Sequence, residues 1–75
     1  MDIRKLFGEN VKRIRVAAGL SQAAVAVRMG VDRAYISSIE RGGQNATLLS
    51  INEIAQALEV RPFDLLAEPD EPVAS

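Results

Sequence analysis

The sequence predicts an all-α domain of five short helices with a helix-turn-helix at its centre, and three observations carry that expectation. Apolar residues recur at three- and four-residue steps along most of the chain. Ser, Asp and Thr stand where helices would begin, and glycines stand where they would end. No stretch alternates apolar and polar residues as a half-buried strand does. Seventy-five residues suit one small core. Residues 1–67 are therefore read as one domain and residues 68–75, EPDEPVAS, as a disordered acidic tail with little to bury.

The first helix is expected over residues 2–18, where Ile3, Leu6, Phe7, Val11, Ile14 and Ala18 form one stripe, Asp2 caps the start and Gly19 the end. Gly8 interrupts it at a cost of about 1 kcal/mol relative to alanine, so close approach by another backbone or by a phosphate is expected there. Ser21 caps the second helix, with Leu20 meeting Val25 as a hydrophobic staple, and Gly30 stops it with positive φ. The third helix repeats the device: Asp32 caps and Val31 meets Ile36.

On a helical wheel, Tyr35, Ile36, Ile39 and Glu40 of this third helix share one arc and Arg33, Ala34, Ser37, Ser38 and Arg41 the opposite one. The first arc faces the core, which places Glu40 at its edge and demands a cationic partner. After the polar loop 42–45, Thr47 caps a fourth helix whose buried stripe is Leu48, Ile51, Ile54, Ala55 and Leu58. Pro62 opens a last short helix carrying Phe63, Leu65 and Leu66.

Composition removes several function classes. With no cysteine and no histidine, disulfides, thiolate chemistry and the usual zinc sets are excluded, and neither a metal nor a cofactor is expected. No nucleophile–base pair or phosphate-binding loop can be assembled, so the chain is not expected to be an enzyme. No apolar run spans a bilayer and the first residues do not open a signal peptide, which points to a cytoplasmic protein away from the membrane. The net charge of −1 hides strong polarisation. Residues 1–45 carry eight cations against four acids, and residues 46–75 one cation against six acids.

A helix about 10–12 Å across fits a major groove about 12 Å wide if its entering face is short or basic and a second helix braces it. The acid-free arc of the third helix meets that requirement, so double-stranded DNA is the expected partner. Arg33, in the first turn, is placed to give guanine O6 and N7 two parallel hydrogen bonds, and Ala34 to touch a thymine methyl. Ser37 and Ser38 reach bases or phosphates, or else keep the exposed face slim. Tyr35 packs its ring at the edge of the core with its hydroxyl towards a phosphate. Arg41 and Gln44 are further phosphate candidates. Gln22, Asn45 and Thr47 stand where helices start, and either meet phosphate or cap locally.

From Phe7 to Leu66 the chain resembles the helix-turn-helix family of phage Cro proteins and repressors, also called the Xre family, with its lambda-repressor-like fold. The resemblance rests on Arg15, Gly19-Leu20-Ser21-Gln22, Ala26, Gly30-Val31, Ile36, Ile39, Glu40-Arg41-Gly42, Asn45, Ile54-Ala55 and Leu58 in that order and spacing. Asp32-Arg33-Ala34-Tyr35-Ile36-Ser37 followed by Ile39-Glu40-Arg41-Gly42 also resembles the controller proteins of restriction-modification systems.

The resemblance implies a transcription regulator, repressor or controller, that binds a palindromic operator as a homodimer through a recognition helix at about 32–41. Half-sites would lie about 34 Å apart. It makes Arg15 the buried partner of Glu40, and it leaves the acidic half for dimerisation, with Leu58, Val60, Pro62 and Phe63 as candidates that otherwise close the monomer core. No small-molecule ligand is implied. An antitoxin-type module that binds a protein partner with the same fold is the alternative. The chain departs from the family in Ala23-Ala24, which leave Ser21 to cap alone, in Arg61 where a capping serine is usual, and in Gln44 where controllers carry a basic residue.

Overall fold

The computed structural model describes residues 1–68. Among them the chain forms α1 (Ile3–Ala17), α2 (Gln22–Met29), α3 (Arg33–Glu40) and α4 (Leu48–Leu58), followed by a 3-10 turn at Pro62–Leu65. The acidic tail expected at residues 68–75 lies outside the described residues apart from Glu68, which is exposed.

Local signals set the helix boundaries. The Asp2 side chain accepts from the Arg4 amide, Ser21 from that of Ala24 and Thr47 from that of Ser50. Asp32 occupies the capping position of α3 with extended backbone, but its side chain accepts no capping hydrogen bond, contrary to expectation. Each α-helix ends by folding its last turn back, the amide just after a left-handed residue donating to a carbonyl five residues earlier: Leu20 to Arg15, Val31 to Ala26, Gly43 to Ser38 and Val60 to Ala55. This ending needs a left-handed residue, supplied by Gly19, Gly30 and Gly42 in three helices and by Glu59, at φ 58°, in the fourth.

The core lies where α1, α2, α3 and α4 meet, around Phe7, Val11, Val25, Ile36, Ile39, Ile54, Leu58 and Leu65. Ala26 is buried in it, where a small side chain lets α2 and α3 close on each other. α3 packs against both α1 and α2, so the element with the acid-free outer face is held from two sides. Gly8 explains one of these contacts: a β-carbon on it would run into the carbonyl oxygen of Ile39 and stand 3.0 Å from that of Glu40. The close approach is therefore by the backbone at the end of α3.

Two expected buried stripes, those of α4 and α1, are corrected. The fifth helix opens at Pro62 as expected and is a single 3-10 turn of four residues, in which Asp64 accepts from the Arg61 amide at 3.1 Å and Leu65 alone is buried. Phe63 and Leu66 stay 66% and 38% exposed. In α4, Leu48 is 87% exposed and Ala57 belongs to the core instead. The neighbours that cover α4 are α2, α1 and the 3-10 turn, and they leave its first two residues, Leu48 and Leu49, exposed while Ile51 packs against the core. In α1, Ile3 and Ala18 lie outside the buried stripe, which runs through Leu6, Phe7 and Val11.

One buried polar residue gave no sequence signal. Asn10, 1% exposed, sends both amide protons to the C-terminal segment, to the carbonyls of Leu65 at 2.9 Å and Ala67 at 2.8 Å. Asn10 thereby satisfies, from α1, two carbonyls near the end of the described residues.

Candidate nucleic-acid interface

The exposed side of α3 carries short polar or basic side chains because its other side is committed to the core. Ile36 and Ile39 are 0% and 1% exposed, and Tyr35 packs half-buried against them. Arg33, Ala34 and Arg41 are exposed and Ser37 and Ser38 half-buried. Arg41 donates through Nη1 to the Ser37 hydroxyl, and Gln44 through Nε2 to that of Ser38 at 3.0 Å. Each hydroxyl accepts from within the protein and keeps its own proton for a further partner. Gln44, placed in a loop by sequence, is thereby tied to the face of α3.

Behind that face lies a buried ion pair. Arg15 donates from Nε and Nη2 to the two oxygens of Glu40 at 2.6 and 2.9 Å, and from Nη1 to the carbonyl of Leu20 at 2.9 Å. The side chains are 11% and 4% exposed. Burial pushes the Glu40 carboxyl up, but the hydrogen bonds from Arg15 and then Gln22 outweigh it and hold the group below the ordinary carboxylate range. The same hydrogen bond to Glu40 raises Arg15 more than burial lowers it. The pair stays charged and ties α1, the turn before α2, and the end of α3 to one another.

Gln22 does not stand open at the start of α2. Its Nε2 donates to Glu40 Oε1 at 3.0 Å, and its Oε1 accepts from Arg33 Nη1 at 2.9 Å. Nothing in the spacing of residues 22, 33 and 40 announces this link, which depends on how α2 and α3 cross. Asn45 and Thr47 are exposed ahead of α4. Thr47 is engaged in a reciprocal cap: its hydroxyl accepts from the Ser50 amide at 3.0 Å while Ser50 Oγ accepts from the Thr47 amide at 2.9 Å. The serine three residues after Thr47 is the sequence signal for that partner.

Of the four residues expected at a subunit contact, Leu58 is 4% exposed within the core and Val60 packs half-buried against it, whereas Pro62 and Phe63 are exposed. Among the described residues, no group of three or more His, Cys, Asp or Glu side chains is placed to hold a metal ion, and no helix is long and apolar enough to cross a membrane.

This arrangement has counterparts. Residues 11–65 match the helix-turn-helix family HTH_3. The chain is 45% identical over 71 residues to the uncharacterized HTH-type transcriptional regulator y4dJ of Sinorhizobium fredii, covering 95% of this chain and 92% of that one. It is 46% identical over 66 residues to the control protein C.BamHI of Bacillus amyloliquefaciens, covering 87% and 82%. Among solved structures, the restriction-modification controller protein C.AhdI of Aeromonas hydrophila superposes with a TM-score of 0.78 at 39% identity, covering 83% of this chain and 94% of that one.

Proposed function

Because the chain belongs to the helix-turn-helix family, whose members are DNA-binding transcription regulators and not enzymes, we propose that it binds a palindromic operator as a homodimer, with α3 in the major groove, and controls a restriction-modification operon. The observation that carries this reading is the outer face of α3, free of acids and held from behind by α1 and α2. The likeness to C.BamHI and C.AhdI supports the operon.

In this reading Arg33 contacts a guanine and Ala34, Ser37 and Ser38 lie against neighbouring base edges. Arg41, Gln44 and the Tyr35 hydroxyl meet phosphates, as do Gln22, Asn45 and Thr47 at the helix starts. Residues 1–67 act as one DNA-binding unit.

One α3 spans only a few base pairs, which is too little information to find one site in a genome, and a two-fold pair doubles it. Pro62, Phe63 and Leu66 are the natural surface for a second copy, being exposed and next to Leu65, which anchors them to the core. Leu58 and Val60 support that surface from within.

The test is selection of bound duplexes from a random pool followed by footprinting. Two inverted half-sites one helical turn apart are expected, and protection of a single asymmetric site refutes the dimer. Binding should weaken steeply with salt if phosphates dominate. Arg33→Ala should leave the fold intact and flatten preference at one base pair by about 1–3 kcal/mol.

A further inference from the structure

The surface assigned above to a second copy stands on a single 3-10 turn, and such a turn holds itself poorly. Its own hydrogen bonds reach only three residues back, from the Asp64 amide to the Arg61 carbonyl and from the Leu66 amide to the Phe63 carbonyl, both at 3.0 Å, and four residues are too few for a helix that sustains itself. Asn10 supplies the hold from α1. Its Nδ2 donates to the carbonyls of Leu65 and Ala67, the residues on either side of Leu66. A carbonyl can only accept, so both amide protons must face them, and the Oδ1 left over accepts from Arg13 Nη2 at 3.3 Å. The amide has one orientation that satisfies all three partners. Leu66 is thereby fixed in its backbone while its side chain stays exposed, lining an apolar groove with Ile3, Phe7, Ala46 and Ile51.

We propose that Asn10, buried in α1, is a positioning residue for self-association: it presents Leu66, and the groove that Leu66 walls, in one fixed form to a second copy of this chain. The proposal rests on the reading that Pro62, Phe63 and Leu66 meet that copy. All three are exposed on one turn, and the groove continues their surface towards α1 and the start of α4. A segment ordered before association avoids an ordering cost of roughly two- to tenfold in affinity per copy. In a two-fold pair the saving enters twice, which makes it roughly four- to a hundredfold in the dimer dissociation constant. Support of the fold alone differs in kind, since it acts whatever side chain stands at residue 66.

The test uses the full chain and sedimentation equilibrium. The dimer dissociation constant is measured for wild type, Asn10→Ser, Leu66→Ala and the double variant, under conditions where circular dichroism shows each to be fully helical. Asn10→Ser leaves space for a water that reaches the same carbonyls, so the core stays satisfied while the direct clamp is gone. It should raise the dissociation constant roughly four- to a hundredfold, and should add nothing further in the Leu66→Ala background. In dilute, unassociated wild type the Leu66 amide should already be protected from hydrogen exchange, and in Asn10→Ser it should exchange faster.

If Leu66→Ala weakens association and Asn10→Ser does not, the positioning role is overturned and the surface stands. A wild type that stays monomeric at every concentration, or a Leu66→Ala variant that associates as tightly as wild type, overturns the surface and the positioning role together. An equal loss from Asn10→Ser in both backgrounds overturns the proposal in another way, by making Asn10 a support of the fold alone. Where Asn10→Ser does not fold, the exchange measurement on wild type decides: a Leu66 amide left unprotected until association overturns the proposal, and protection in the monomer upholds it.

Discussion

Gly8→Ala sets two opposing effects against each other, and the structure decides which wins. On an isolated helix the change stabilises α1 by about 1 kcal/mol, since alanine is the better helix former. Here the added methyl would collide with the Ile39 carbonyl oxygen and lie 3.0 and 3.1 Å from the carbonyl oxygen and carbon of Glu40. All three are backbone atoms at the end of α3, so no rotamer change relieves them, and α1 must move away from Ile36 and Ile39. Overpacking of this kind costs about 3 kcal/mol, at the upper end of its usual range because the obstacle is rigid. The net loss is then about 2 kcal/mol, which in a domain this small lowers Tm by about 8–16 °C. Thermal and urea denaturation followed by circular dichroism measures it. An unchanged or higher Tm would refute the close packing of α1 on α3.

Glu40→Gln leaves Arg15 charged and buried without its counter-ion, and should cost about 3–5 kcal/mol in a urea titration. In the native protein Glu40 sits below the ordinary carboxylate range. Its contribution is therefore complete above the unfolded value of about 4.3 and disappears as pH falls through the lower folded value; stability against pH in that acid window should be flatter in Glu40→Gln. Asn10→Leu fills the same space but strands the carbonyls of Leu65 and Ala67, so a loss of about 2–4 kcal/mol is expected, with hydrogen exchange accelerating first around residues 65–67. Glu59→Gly relieves the left-handed backbone at φ 58° and gives up only an exposed pair with Arg28 at 3.8 Å. It should be neutral or raise stability by up to about 1 kcal/mol, and a clear fall in Tm would show that the cap needs its side chain.

The chain determined by itself whatever depends on near neighbours. Asp2, Ser21 and Thr47 start helices and Gly19 and Gly30 end them, because a cap and a reversal are settled within a few residues. The division of α3 into a core side and an acid-free side is likewise a matter of 3.6-residue spacing, as was the need of Glu40 for a cation. The family resemblance, and no spacing, identifies Arg15 as that cation.

Tertiary structure alone decided what depends on which surfaces meet. Leu48 has the spacing of a core residue, yet at the start of α4 it stays exposed. Asn10 has the composition of a surface residue, yet it lies where the C-terminal segment leaves two carbonyls in need of donors. Gly8 announced a close approach, and only the packing of α1 on α3 chose backbone over phosphate. Gln22 stands eleven residues from Arg33 and eighteen from Glu40. A side-chain amide can bridge that acid and that base only after two helices have crossed at one angle, and no period in the sequence encodes the angle.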